Sequence, residues 1–112
     1  MFLKFNKIDD KLVVTLVGEL DHHSAEEVRV KIDDRIERDN IKKVIMDFKE
    51  VTFMDSSGIG LILGRVRQIH PINGKVYLFG GNEIIRKMLD MSGIQNVVTV
   101  LDTIEEVKEV YE

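Results

Sequence analysis

The residues with the most chemical promise in this chain are Asp55, Ser56 and Ser57, followed by Gly58. An acid and two hydroxyls stand where a loop is expected to turn into a helix. Ile59, Ile62, Leu63 and Val66 then fall at the i, i+3, i+4 and i+7 positions of one helical face. Aspartate and serine favour the start of a helix because their side-chain oxygens accept from the free backbone N–H groups of the first turn. A serine hydroxyl there can be exposed, and the helix dipole tolerates a phosphate. Gly58, Gly60 and Gly64 each cost such a helix roughly 1 kcal/mol against alanine. They point either to close helix–sheet packing or to a bare first turn that lets a partner approach the serines.

Other chemistry finds little support. A serine hydrolase needs a G-x-S-x-G elbow and a base. Met54 and Asp55 occupy the first-glycine places, and His70 is expected at the far end of the helix. The Gly58, Gly60 and Gly64 spacing misses a dinucleotide fingerprint by one position. The preceding strand is expected to end near Phe48, too far upstream for a tight phosphate loop. Asp47 lacks the acidic pair and the later lysine of a phosphoaspartate receiver. His22 and His23 are adjacent, so they point apart on a helix, and no further cluster makes them metal ligands. The chain is therefore expected to be no enzyme and to hold no metal. It reads as a small switch or docking domain with a serine as the switch.

Alternating strands and helices must position these residues. Met1–Asn6 and Lys11–Val17 read as a hairpin around Asp9-Asp10, with the first strand at an edge. Gly18-Glu19-Leu20-Asp21-His22-His23 leads out of it. A helix is expected from about His22–Ser24, opened by a Ser24/Glu27 capping box, with Ala25, Val28, Ile32 and Ile36 on one face. Lys43–Phe48 is a third strand, whose Val44-Ile45-Met46 run suits a central position. A loop through Glu50–Met54 precedes the second helix, which runs to about Ile69 before Pro71 and Asn73-Gly74. Val76–Phe79 is a fourth strand. Asn82 caps a third helix bearing Ile84, Ile85, Met88 and Leu89, with Gly93 at its end. Val97–Val100 is a last strand, and Thr103/Glu106 opens a fourth helix with Ile104, Val107 and Tyr111. The expected fold is a single α/β domain over residues 1–112. Its sheet is mixed but mostly parallel, with about five strands, an N-terminal hairpin and about four helices. Loops after parallel strands share one end of a sheet, which would set Asp21-His22 beside Ser56-Ser57.

Composition narrows the function further. A length of 112 residues fits one domain, and 44% hydrophobic with 32% charged residues is an ordinary globular balance. The net charge of −4 gives no support to nucleic-acid binding. That charge is concentrated in Asp102, Glu105, Glu106, Glu109 and Glu112, offset only by Lys108. The absence of cysteine excludes disulfides and favours a cytoplasmic setting. No run suits a signal peptide or a membrane span.

The segment Phe53-Met54-Asp55-Ser56-Ser57-Gly58-Ile59-Gly60-Leu61-Ile62-Leu63-Gly64-Arg65 closely resembles the phosphorylation segment of anti-sigma factor antagonists. These are the small single-domain members of the STAS family (sulfate transporter and anti-sigma antagonist). Gly18–His23 and Asp90-Met91-Ser92-Gly93 resemble the sporulation branch of that group. The resemblance implies a protein that regulates transcription by partner switching. Its unphosphorylated form would bind an anti-sigma factor, itself an ATP-dependent serine kinase, and release a sigma factor. Phosphorylation at Ser56 would switch it off, and a metal-dependent serine phosphatase would restore it. The implied docking surface comprises Asp21, His22, His23, Asp55, Ser56, Ser57, Gly58 and Ile59. The resemblance also implies that ATP and magnesium belong to the kinase, so that this chain needs no cofactor of its own. The competing expectation is a STAS module that senses a small ligand or nucleotide.

Overall fold

A hairpin starts the fold. Strands β1 (Phe2–Ile8) and β2 (Lys11–Leu20) pair antiparallel around Asp9, which takes a left-handed φ of 56°, a region that aspartate enters more readily than most residues. Helix α1 (His22–Arg38), strand β3 (Lys43–Met54), helix α2 (Ser56–Ile69), strand β4 (Lys75–Phe79), helix α3 (Glu83–Ser92), strand β5 (Thr99–Leu101) and helix α4 (Ile104–Tyr111) follow. This computed structural model describes all 112 residues. The strands lie in sequence order, β1-β2-β3-β4-β5, and every pair after the hairpin is parallel. The expected mixed, mostly parallel sheet with four helices is the one observed.

Strands in sequence order send each right-handed crossover over the same face. Accordingly α1, α2 and α3 share one large core with Leu12, Val14, Leu16, Val44, Met46 and Leu78. Helix α4 covers the other face through Val107, which meets Ile45, Tyr77, Phe79 and Leu101. Val44, Ile45 and Met46 are thus each fully buried because helices cover both sides of β3.

Several local expectations are corrected. Strand β3 does not end at Phe48, and the expected loop through Glu50–Met54 is strand. Its core-facing residues are Met46, Phe48, Val51 and Met54, a spacing of two and then three. Bulges opposite Thr15/Val17 and Gly18/Glu19 insert extra residues into β3. They break the period-two alternation that marks a strand. Strand β2 likewise continues to Leu20, so both strands run straight into helix starts. The cap of α1 is Asp21 rather than Ser24. Asp21 accepts from the Ser24 backbone at 2.8 Å, and the Ser24 hydroxyl accepts from the Asp21 backbone at 3.1 Å. Asp21 thus takes the capping position expected of Ser24, and Ser24 takes that of Glu27. The buried face of α2 is Gly58, Leu61, Ile62, Arg65 and Ile69, with Ile59, Leu63 and Val66 only flanking it. Ile84 and Ile104 were expected on buried faces but are 75% and 45% exposed. Strand β5 begins at Thr99, because Ile94–Asn96 forms a short 3-10 turn first.

Candidate functional site

Two helix starts adjoin at the C-terminal end of the sheet. Beyond the bulges, strands β2 and β3 stay paired to their last residues, Leu20 with Met54. The residues that follow, Asp21 and Asp55, are the N-caps of α1 and α2. The Asp55 backbone N–H donates to the Leu20 carbonyl at 3.3 Å. The His22 backbone N–H donates to Asp55 Oδ2 at 3.1 Å. The adjacency of Asp21-His22 and Ser56-Ser57 that the topology implied is therefore present in the structure.

Ser56 is the first residue of α2 and is exposed; Ser57 is half-buried. The Ser57 backbone N–H donates to Asp55 Oδ1 at 2.8 Å. Of the acid and two hydroxyls expected at this helix start, Asp55 is the one that caps it. Gly58 is buried at the sheet, where a Cβ would overlap the Met54 side chain and lie 3.2 Å from Leu20 Cδ2. Close packing explains that glycine. It does not explain Gly60 and Gly64, where a Cβ would meet nothing within 4 Å. Ile59 is half-buried against the core, and His22 and His23 are exposed.

Beside the serines, an open trough of about 370 Å³ runs between the two helices. Its α1 wall is His22, Ala25, Glu26 and Arg29; its α2 wall is Ser57, Gly60 and Leu61. Sequence reasoning missed Ala25, Glu26, Arg29 and Leu61 as part of this surface, and offered Gly60 only as one of the glycines that could bare the helix start. Nothing in the sequence shows which helix lies alongside α1.

Charge is distributed unevenly here. Backbone and side-chain hydrogen bonds from Ser24, with lesser help from His23, hold the Asp21 carboxyl below its ordinary value of 3.8. Arg65 lies on the buried side of α2 with only 5% exposure. Its Nε sits 3.0 Å from Asp33 Oδ1 of α1. The N–H is misdirected, so neither atom makes a hydrogen bond, and Nη1 also lacks an acceptor. Burial lowers the Arg65 basicity, an effect Asp33 partly opposes. Asp33 also pairs with Arg29 at 3.2 Å. The spacing of Leu61, Arg65 and Ile69 along one helix face was a readable signal that this arginine faces inward. No three histidine, aspartate or glutamate side chains converge as a metal cluster. No helix is long and apolar enough to cross a membrane.

The comparisons with known proteins agree with this architecture. The STAS domain family matches residues 3–107. An anti-sigma F factor antagonist of Paenibacillus polymyxa is 38% identical over 91 residues, covering 81% of this chain and 78% of that protein. The structure of the anti-sigma factor antagonist SpoIIAA in its unphosphorylated form matches with a TM-score of 0.77 and 33% identity, covering 96% of each chain. The phosphorylated form of Bacillus SpoIIAA matches with a TM-score of 0.76 and 32% identity, covering 97% of this chain and 99% of that one. With its paired helix starts and five-stranded mixed sheet, the chain belongs to the STAS domain family and, within it, to the anti-sigma factor antagonists.

Proposed function

We propose that this chain is the switchable partner of an anti-sigma factor that is also a serine kinase. The unphosphorylated chain docks on the ATP- or ADP-bound kinase through the end of the sheet that carries Asp21, His22, His23, Asp55, Ser56, Ser57, Gly58 and Ile59. Docking releases the sigma factor. The kinase phosphorylates Ser56 and so ends docking, and a metal-dependent serine phosphatase restores the hydroxyl. The switch acts in the cytoplasm and serves transcription during sporulation.

The observation that carries this reading is the exposed Ser56 at the first residue of α2, beside Asp55 and the adjoining start of α1. It is supported by the likeness to SpoIIAA, whose structure is described in unphosphorylated and phosphorylated forms. The physics suits it. A phosphate adds about −1.5 to −2 charge next to Asp55. Forcing that dianion into a partly dry interface costs several kcal/mol unless it is paired. About 3–4 kcal/mol suffices to weaken binding several-hundred-fold. Local charge and bulk are enough, without a change of fold.

The test is incubation with a candidate anti-sigma factor kinase and ATP, followed by mass mapping of the phosphate. Phosphate on Ser56 alone is expected. Phosphate on Ser57, or none with a kinase that binds the chain, overturns the assignment.

A further inference from the structure

One carboxylate spans both helix starts. Asp55 Oδ1 accepts from the Ser57 N–H at 2.8 Å, and Oδ2 accepts from the His22 N–H at 3.1 Å. His22 is the first residue of α1 and lies 33 positions away in the chain. The cap of α1 itself is separate: Asp21 Oδ1 accepts from the Ser24 N–H at 2.8 Å. Asp55 therefore does two jobs, capping its own helix and tying down the first N–H of its neighbour. The backbone bond from Asp55 to Leu20 holds the strand ends together independently of that side chain.

We propose that Asp55 is a positioning residue that couples the state of Ser56 to the start of α1: it holds the His22 N–H while Ser56 is a free hydroxyl and releases it when Ser56 carries a phosphate. This inference rests on the reading of Ser56 as the phosphorylated residue. Ser56 lies between Asp55 and Ser57, so its phosphate competes with the Asp55 carboxylate for the helix-start N–H groups. The two anions are on adjacent residues and repel. As the phosphate takes the Ser57 N–H, the carboxylate turns away from the helix start and from His22. Asp21 does not replace it, because its own carboxylate stays on Ser24. Helix α1 keeps its cap and the domain keeps its fold. The change is confined to the loop edge that carries Asp21 and His22, so one covalent event alters both halves of the docking surface.

The test uses the isotope-labelled full chain with phosphoserine installed at position 56 during translation, so that no kinase is needed. The reported quantity is the amide proton shift of His22, with Ser24 as the control. An N–H held by a carboxylate resonates downfield. Asp55→Ala should move the His22 signal upfield and leave Ser24 in place. Phosphoserine in the otherwise wild-type chain should move His22 the same way, and should add no further upfield movement in the Asp55→Ala background. If Asp55→Ala does not fold, Asp55→Asn carries the same comparison, since its single carbonyl oxygen cannot serve both N–H groups. A His22 signal untouched by the phosphate, or moved equally with and without the Asp55 carboxylate, overturns the proposal. The functional reading fails separately, through a kinase that places no phosphate on Ser56.

Discussion

Replacing Asp33 with alanine should damage the fold, whereas replacing its partner Arg65 with methionine should not. The Arg65 side chain is 6% exposed and that of Asp33 is 27% exposed, with 3.0 Å between Nε and Oδ1. Removing one partner of a buried pair leaves an uncompensated charge, at a cost of about 3–5 kcal/mol. Here Asp33 is partly solvated, and alanine is a better helix former than aspartate by about 0.5 kcal/mol. The expected loss for Asp33→Ala is therefore about 2 kcal/mol, with Arg65 left between the helices without its anion. At about 4 °C per kcal/mol for a domain of this size, the melting temperature should fall by about 8 °C. Arg65→Met removes the buried charge, fills similar volume with apolar atoms and leaves Asp33 paired with Arg29. Such replacements are neutral or stabilising by roughly 1–4 kcal/mol, and the poor geometry of this pair places it at that favourable end. The double variant should lie within about 1 kcal/mol of Arg65→Met, because Asp33 has less to neutralise once Arg65 is gone. Thermal and urea unfolding followed by circular dichroism gives all four corners of the cycle. The reasoning fails if Arg65→Met loses as much stability as Asp33→Ala and the two losses simply add.

Other expected outcomes concern the two helix starts. Asp21→Ala removes a cap and should cost about 1 kcal/mol of stability. Asp21→Ser keeps a capping oxygen, so weaker binding to the anti-sigma factor in Asp21→Ser, measured by calorimetry, would isolate docking from folding. Because hydrogen bonding lowers the Asp21 carboxyl below 3.8, its contribution is complete above its unfolded value and disappears as pH falls through the lower folded value; the Ser24 amide shift, followed through an acid titration, should report that loss. Gly58→Ala should destabilise by about 1–3 kcal/mol through overlap with Met54. Gly60→Ala, with open space around it, should stabilise α2 by up to about 1 kcal/mol yet weaken binding if the partner enters the trough; unchanged affinity would remove the trough from the interface. Ser56→Ala should keep the fold and bind the anti-sigma factor in kinase assays without being switched off. Ser56→Asp should fold equally well and bind poorly, and a rearranged domain in its amide spectrum would replace local blockade with a conformational switch.

The legible and illegible parts of this sequence differ in the range of the forces involved. Helix α3 could be bounded from Asn82 and Gly93 because a cap bond and a left-handed φ of 75° are local properties. The central place of β3 was readable because Val44, Ile45 and Met46 satisfy two covered faces at once. The far half of β3 was hidden because its bulges depend on pairing with Thr15–Glu19, and no local pattern records a partner's register. Ile84 was misplaced for a similar reason: it has the right residue type on α3, but the helix is rotated so that Ile85 and Leu89 meet the core. At the site, element order was enough to bring Asp21 near Ser56. The Asp55 bridge was not foreseeable, because a bond across 33 residues depends on strand ends that the sequence pattern had misplaced.

The same geometry explains why a charge at Ser56 should act on a partner more than on the fold. Two helix starts converge here, each with free N–H groups and a positive dipole end. Asp21 and Asp55 already answer that potential, accepting from Ser24, Ser57 and His22. On the proposed reading, a further anion on exposed Ser56 would keep its water and only redistribute existing hydrogen bonds, so the domain should lose little. On the proposed docking, a partner seated on this surface would strip that water and meet the added charge together with Asp21, Asp55 and Glu26. The penalty therefore scales with how dry the interface is. The aspartate of Ser56→Asp, with about one charge against the phosphate's −1.5 to −2, should accordingly weaken docking less than phosphate does. Equal weakening by both would mean that bulk, rather than charge, closes the surface.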